Sequence, residues 1–175
     1  MKEISNIKIS CVFKLPLNWR VLLQSITQKR KISIQKNANF LILRDKYVIC
    51  IFEKNDQTIH FNVTKIKSIK DIFEFLFFFS REYFTYDTHL ISLKIDNITS
   101  SFNVRSLLNL KEIQKNYKNS NFNPERFAGM FIKFEGGTAI IFRNGKVNIV
   151  GCKSVSKIQE IWKELEPILR KSVHM

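Results

Sequence analysis

Hydrophobic and polar residues alternate along several short stretches of the chain, which is the pattern of β-strands with one buried face. Two longer stretches in the first half repeat their hydrophobic residues every three or four positions, as amphipathic helices do. In the second of these the predicted core stripe is Ile69, Phe73, Leu76 and Phe77. The pattern predicts strands at residues 4–13, 39–43, 47–52 and 58–64, and helices at residues 17–28 and 66–84.

The second half of the chain repeats this order of elements. Strands are predicted at residues 90–102, 126–134, 138–142 and 146–150, and helices at residues 104–117 and 154–171. Asn144-Gly145, between the last two strands, is a strong hairpin signal because both residues tolerate positive φ angles. We expect Pro167 to kink the final helix or to shift its end, since proline lacks the backbone N–H that a helix interior uses.

Equivalent landmarks in the two halves are separated by a nearly constant distance. Asn97 follows Asn6 by 91 residues, and Phe142 follows Phe52 by 90. An internal repeat whose hairpin strands are flanked by long helices predicts an α+β fold. In it two pseudo-repeats form one curved antiparallel sheet, with helices on the convex face and the other face open. We call residues 1–90 repeat 1 and residues 91–175 repeat 2.

Charge is the most unusual feature of the composition. The chain has 29 Lys and Arg residues against 15 Asp and Glu residues, a formal net charge of +14. An excess of this size favours a polyanionic partner, because each cation that neutralises a phosphate releases a condensed counterion. The alternative is a basic protein without such a partner, since A/T-rich codons also favour Lys and the 16 Phe residues found here.

Several classes of function lack the residues that they need. Cys11, Cys50 and Cys152 lie far apart without a Cys-x-x-Cys pair, so reduced core thiols are expected rather than disulfides or zinc ligands. The three histidines stand alone and no Gly-rich phosphate loop occurs, so we expect no metal, no cofactor and no enzyme activity. Without a signal-peptide core or a membrane-spanning apolar run, a soluble intracellular protein is expected.

Residues 121–154 carry several motifs in a fixed order. They read Asn-Pro-x-Arg-Phe before a strand, Ile-Ile-Phe two strands later, Gly-Lys at a turn, and Val-Gly-Cys-Lys before the closing helix. This order and spacing closely resembles the second half of the TATA-binding protein family. Residues 145–152 also resemble the shorter relatives encoded by large cytoplasmic DNA viruses. In repeat 1, Ser5-Asn6-Ile7 matches a family motif and the rest agrees in layout only.

The resemblance implies a saddle whose concave sheet face binds the minor groove of A/T-rich double-stranded DNA. In the family two phenylalanine pairs wedge between base steps and bend the duplex, which A·T-rich steps allow at least cost. By resemblance Phe127 and Phe142 form the wedge pair of repeat 2, and by layout Phe40 and Phe52 form that of repeat 1. The other DNA-binding candidates are Asn6 and Asn97 for groove hydrogen bonds, Ile140 and Val150 for apolar contacts, and Arg126 and Lys146 for phosphates.

This chain departs from the family on the concave face and in the loop before the repeat-2 wedge. In the family that loop contacts proteins of the transcription factor IIB class, and here Asn123 and Glu125 are the matching partner-binding candidates. The concave face carries polar side chains where the family has apolar ones, so we expect a different DNA sequence preference. These side chains are Lys8, His60, Asn62, Thr99 and Asn148.

The sequence thus predicts a general transcription initiation factor that binds and bends A/T-rich promoter DNA. Its expected partners are a transcription factor IIB-like protein or the RNA polymerase machinery, in the nucleus or in a cytoplasmic viral factory. The alternative is an interaction module of a transcription complex that kept the fold and lost sequence-specific DNA binding. A nucleic-acid enzyme is a third reading, because similar half-saddles occur in type 3 ribonuclease H and some DNA glycosylases, but no catalytic cluster supports it.

Overall fold

The computed structural model describes residues 3–15, 19–30, 40–44, 46–55, 57–84 and 88–173. The predicted order of elements occurs twice in it, with one additional two-residue strand in the second half. Repeat 1 contains β1 (Glu3–Lys14), α1 (Trp19–Arg30), β2 (Phe40–Arg44), β3 (Val48–Asn55), β4 (Thr58–Ile66) and α2 (Ile69–Tyr83). The following elements are β5 (His89–Asn103), α3 (Leu110–Asn116), β6 (Ser120–Asn121), β7 (Gly129–Phe134), β8 (Gly137–Phe142), β9 (Lys146–Cys152) and α4 (Val155–Lys171). Residues 17 and 18 of the first predicted helix lie outside the described residues.

The nine strands of the described chain belong to one antiparallel sheet. Their order is β2-β3-β4-β1-β5-β9-β8-β7-β6. The chain divides into two compact units, Ile7–Ile95 and Met1–Asn6 together with Asp96–Met175. The sheet and its helices confirm the predicted α+β class.

In the first unit one set of alternating side chains forms the core with α2. Ile51, Ile59, Phe61 and Val63 are fully buried. The Phe61 ring packs edge-on against Phe79 of α2, with ring centroids 5.0 Å apart. Because neighbouring side chains of a strand alternate, the residues between them lie on the opposite face. We call this face, away from the helices, the open face of a repeat.

Helix α2 begins later than predicted because β4 continues to Ile66. Its start is fixed by a reciprocal capping box. The Ser68 hydroxyl accepts a hydrogen bond from the Asp71 N–H at 3.1 Å, and the Asp71 carboxylate accepts one from the Ser68 N–H at 3.0 Å.

The predicted core stripe of α2 is wrong. Ile69, Phe73 and Phe77 are 41%, 64% and 60% exposed, and Phe78 is 63% exposed. The helix is apolar on more than one side, so two stripes have helical spacing and the sequence does not choose between them. Contacts such as Phe61 with Phe79 fix the rotation of the helix. The side chains of α2 that are buried are Ile72, Phe75, Phe79 and Tyr83.

Substituting leucine on the two stripes should separate them by stability. Phe79→Leu should lower the free energy of unfolding by about 1–2 kcal/mol, because it leaves a gap in the core. Phe77→Leu, the matched control on the exposed stripe, should change it by less than about 0.5 kcal/mol. Urea unfolding followed by circular dichroism measures both, and a larger loss for Phe77→Leu would contradict this orientation of α2.

In the second unit α4 covers one face of the strands. Its buried residues are Ile158, Ile161, Leu165 and Leu169, while Trp162 and Ile168 are half-buried. The Trp162 ring stacks on Phe102 of β5, with ring centroids 4.1 Å apart and an interplanar angle of 7°. This stack fixes α4 over the face on which Ile141 and Ile149 are fully buried.

Helix α3 starts later than predicted, whereas α4 ends at the predicted residue. Helix α3 begins at Leu110, because the N–H groups of Val104 and Leu108 donate to the carbonyls of Gly145 and Arg143 instead of entering a helix. Helix α4 continues through Pro167 to Lys171, so the proline does not shift its end.

The predicted Asn144-Gly145 turn is confirmed. Gly145 has a φ of +83°, and its N–H donates to the Phe142 carbonyl at 3.0 Å. A Cβ at this position would lie 2.5 Å from the Ser106 carbonyl oxygen. Glycine is therefore required by both the turn conformation and the close approach of the chain.

The remaining expectations concern thiols, metals and membranes. Cys11 and Cys152 are buried as expected, and burial raises the pKa of the Cys11 thiol to about 12, whereas Cys50 is half-buried on the open face of β3. In the described ranges no three metal-ligating side chains come together, and His174 lies outside them. None of the helices in these ranges has the length and hydropathy needed to span a membrane.

Candidate nucleic-acid interface

Three phenylalanine rings lie together on the open face of repeat 2. The Phe127 ring is 5.8 Å from Phe142 and 5.0 Å from Phe131, measured between ring centroids. Phe127 is 41% exposed, and the other two rings are half-buried. We call Phe127, Phe131 and Phe142 the aromatic cluster.

Gly129 makes room for this cluster. It lies opposite Phe142 in the β7–β8 ladder. A Cβ built on Gly129 would be 2.6 Å from the Phe127 ring, 3.0 Å from the Phe142 ring and 3.1 Å from Ile140. The Phe127 ring therefore lies over backbone that any side chain would block.

A tight turn aims Phe127 at this position. The backbone N–H groups of Arg126 and Phe127 donate to the Asn123 carbonyl, and the Glu125 N–H donates to the Asn123 side-chain oxygen at 3.2 Å. Arg126 thus lies in a turn and not, as predicted, in the strand. Asn123, Glu125 and Arg126 are all exposed. Asn123 and Arg126 line a cavity of about 310 Å³ together with Phe127 and Phe131.

The sequence analysis missed Phe131. Met130, Phe131 and Ile132 are all apolar, so alternation gives no face for this part of the strand. The register supplies it, since Phe131 lies opposite Ile140 of the open face while Met130 and Ile132 are fully buried.

Asn97 is held by its side-chain oxygen. This oxygen accepts the Gly151 N–H at 2.7 Å, and the Asn97 amide nitrogen lies 3.4 Å from the Thr99 hydroxyl. A backbone N–H can only donate, so the amide nitrogen is the group that Asn97 presents as a donor. Asn6 flanks the buried Ile7 as Asn97 flanks the buried Ile98, and both asparagines are half-buried.

The apolar and basic candidates of repeat 2 share the open face. Ile140 and Val150 are half-buried on β8 and β9, and Val150 lies opposite Thr138. Lys146 is exposed at the start of β9, opposite Asn103. Lys133 on β7 is exposed on the same face, so two lysines flank the apolar strip.

The candidate pair of repeat 1 has a different geometry. Phe40 and Phe52 lie directly opposite each other in β2 and β3, whereas in repeat 2 the residue opposite Phe142 is Gly129. Phe40 is 50% exposed, and the Phe52 ring stacks on His60 with ring centroids 5.5 Å apart. The two pairs are therefore not built alike.

This chain has the two-repeat sheet fold of TBP. A solved structure described as Methanococcus jannaschii TBP superposes with a TM-score of 0.75 over 97% of this chain and 98% of that chain. Its identity to this chain is 18%, so the likeness is one of fold. Residues 92–172 match the family described as transcription factor TFIID, or TATA-binding protein. Over residues 92–172 the chain is thus similar in sequence to the TATA-binding protein family, and over nearly its whole length it has the TBP fold.

Sequence relatives agree with this assignment. The TATA-box-binding protein of Thermococcus celer is 32% identical over 83 residues, which cover 46% of this chain and 44% of the relative. TATA-box-binding protein 2 of Entamoeba histolytica is 32% identical over 87 residues, which cover 49% of this chain and 40% of the relative. The chain therefore matches less than half the length of these relatives.

Proposed function

We propose that this chain is a transcription initiation factor that binds the minor groove of A·T-rich duplex DNA with its open sheet faces and bends the duplex. The aromatic cluster carries the proposal. A wedge must be exposed enough to enter a base step and held firmly enough to keep it open, because partial unstacking costs a few kcal/mol per step. Phe127 meets both conditions, being 41% exposed and packed against two other rings.

The hydrogen-bonding groups of the open face support an A·T preference. Both A·T and T·A pairs present only acceptors in the minor groove, whereas a G·C pair adds the guanine amino donor. Asn97 presents its amide nitrogen, which suits an acceptor and conflicts with a second donor. Asn6 takes the corresponding place in β1.

The exposed turn before β7 is the proposed contact for a protein partner. Asn123 and Glu125 are exposed there, next to the cation Arg126 in the same turn. One carboxylate beside a cation suits a partner surface of mixed charge. We propose a transcription factor IIB-like protein or the RNA polymerase machinery as that partner. A viral origin of this chain stays a prediction.

Binding to a panel of labelled duplexes tests the proposed function. A TATA-type duplex and an A·T-rich duplex should bind at least tenfold more tightly than a G·C-rich duplex of equal length, since each mismatched pair in a specific site costs about 1–3 kcal/mol. Gel shifts at two salt concentrations give the ratio. No binding to any duplex at either salt concentration would support the interaction module instead.

A further inference from the structure

A serine and an asparagine lie opposite each other on the open face of repeat 2. Asn148 of β9 is the cross-strand partner of Ser101 of β5, and both are half-buried. The Ser101 hydroxyl donates to the side-chain oxygen of Asn148 at 2.9 Å. With its oxygen held by Ser101, Asn148 offers a ligand the N–H bonds of its amide nitrogen.

The same two residue types meet at the equivalent place in repeat 1. Asn62 of β4 lies opposite Ser10 of β1, and both are half-buried on the open face. Directly opposed side chains have Cβ atoms about 5 Å apart. Ser10 is therefore the cross-strand neighbour of Asn62, as Ser101 is of Asn148.

The cross-strand rows around the two pairs also correspond. In repeat 2 the row runs Phe131, Ile140, Asn148, Ser101, and in repeat 1 it runs Ile42, Cys50, Asn62, Ser10. Each pair thus follows two apolar or weakly polar side chains. Counted from the outer strand, the asparagine is the first side chain of each row that forms strong hydrogen bonds.

We infer that Asn148 with Ser101, and Asn62 with Ser10, are specificity-determining pairs that each select an A·T or T·A base pair at one position of the bound duplex. The inference rests on the proposed function. The asparagine donates to the N3 atom of adenine or the O2 atom of thymine, which are the minor-groove acceptors of these pairs. A guanine at that position would place its amino group, which is a donor, against the asparagine N–H, which is also a donor. Ser101 is a positioning residue, because it acts through Asn148.

Affinities for a set of A·T-rich duplexes with one G·C substitution each will test the inference. For the parent protein, two positions should show a loss of about tenfold, as expected for one misread base pair. Replacing guanine by inosine, which lacks the amino group, should restore binding at both positions. In Asn148→Leu, the ratio of the affinities for the A·T and G·C duplexes should fall to near one at one of these two positions only. In Asn62→Leu, the same ratio should fall to near one at the other position only.

Ser101→Ala should weaken the discrimination at the Asn148 position, with little further change in Ser101→Ala/Asn148→Leu, since the two residues act as one unit. Thr138→Val is the matched control, because Thr138 is half-buried on the same face outside both pairs. If the parent binds duplexes but each variant keeps the parent's position profile, the inference is wrong and the proposed function stands. If the parent binds no duplex, the proposed function fails and this inference fails with it. Because the inosine test uses the parent protein, poor folding of one variant does not prevent a decision.

Discussion

Duplex binding by this chain should weaken about 10³-fold when the salt concentration rises from 50 to 200 mM. A contact with about six phosphates gives a slope of log affinity against log salt near −5, because each neutralised phosphate releases condensed counterions. The net charge of +14 and the exposed cations Arg126, Lys133 and Lys146 beside the open face of repeat 2 lead to this expectation. Fluorescence anisotropy titrations at five salt concentrations measure the slope.

Variants that each remove one lysine charge show which face of the protein gives rise to the salt dependence of binding. Lys133→Gln and Lys146→Gln should each make the slope shallower by about 0.9, the contribution of one phosphate contact. Lys163→Gln is the matched control, since Lys163 is exposed on α4, on the other face of the sheet. A slope near zero for the parent, or an equal change for all three variants, would show that these lysines are only solvated surface.

Phe127→Ala and Phe142→Ala should each abolish most of the DNA bend and lower the affinity by about 30-fold. A ring that holds open a base step contributes on the order of 2 kcal/mol to binding, since unstacking one step costs a few kcal/mol. Fluorescence transfer between the two labelled ends of a duplex measures the bend, and thermal unfolding checks that each variant folds. If folded variants bend the duplex as the parent does, both rings are ordinary core residues.

Two further comparisons sharpen this test. Gly129→Ala keeps all three rings but places a Cβ 2.6 Å from the Phe127 ring, so it should reduce the bend by displacing the wedge. Phe40→Ala and Phe52→Ala should reduce the bend less than the repeat-2 variants. Three packed rings and an Asn123 turn fix the repeat-2 cluster, whereas Phe52 packs on His60 and Phe40 is half exposed. An equal or larger loss in the repeat-1 variants would contradict this asymmetry.

Much of the candidate site could be predicted from the order of motifs. Asn-Pro-x-Arg-Phe and Ile-Ile-Phe indicated Phe127 and Phe142, and the structure brings their rings within 5.8 Å of each other. Phe131 could not be found this way, because it lies in an apolar run whose alternation is hidden. For repeat 1, layout alone indicated Phe40 and Phe52 but gave no register, and the direct opposition of these residues appears only in the sheet.

The sequence by itself determined the elements, their repetition and the tight turns. These depend on neighbouring residues: alternation sets the two faces of a strand, and Gly145 permits a positive φ whatever surrounds it. Only the tertiary structure decided which apolar residues are buried and which polar residues meet. Phe75 and Phe77 of α2 are chemically equal, and only the packing of α2 on the strands buries the first and exposes the second. Ser101 and Asn148 are far apart in sequence, and pairing of β5 with β9 joins them. Burial and cross-strand contact are set by chain segments distant in sequence, which no local pattern records.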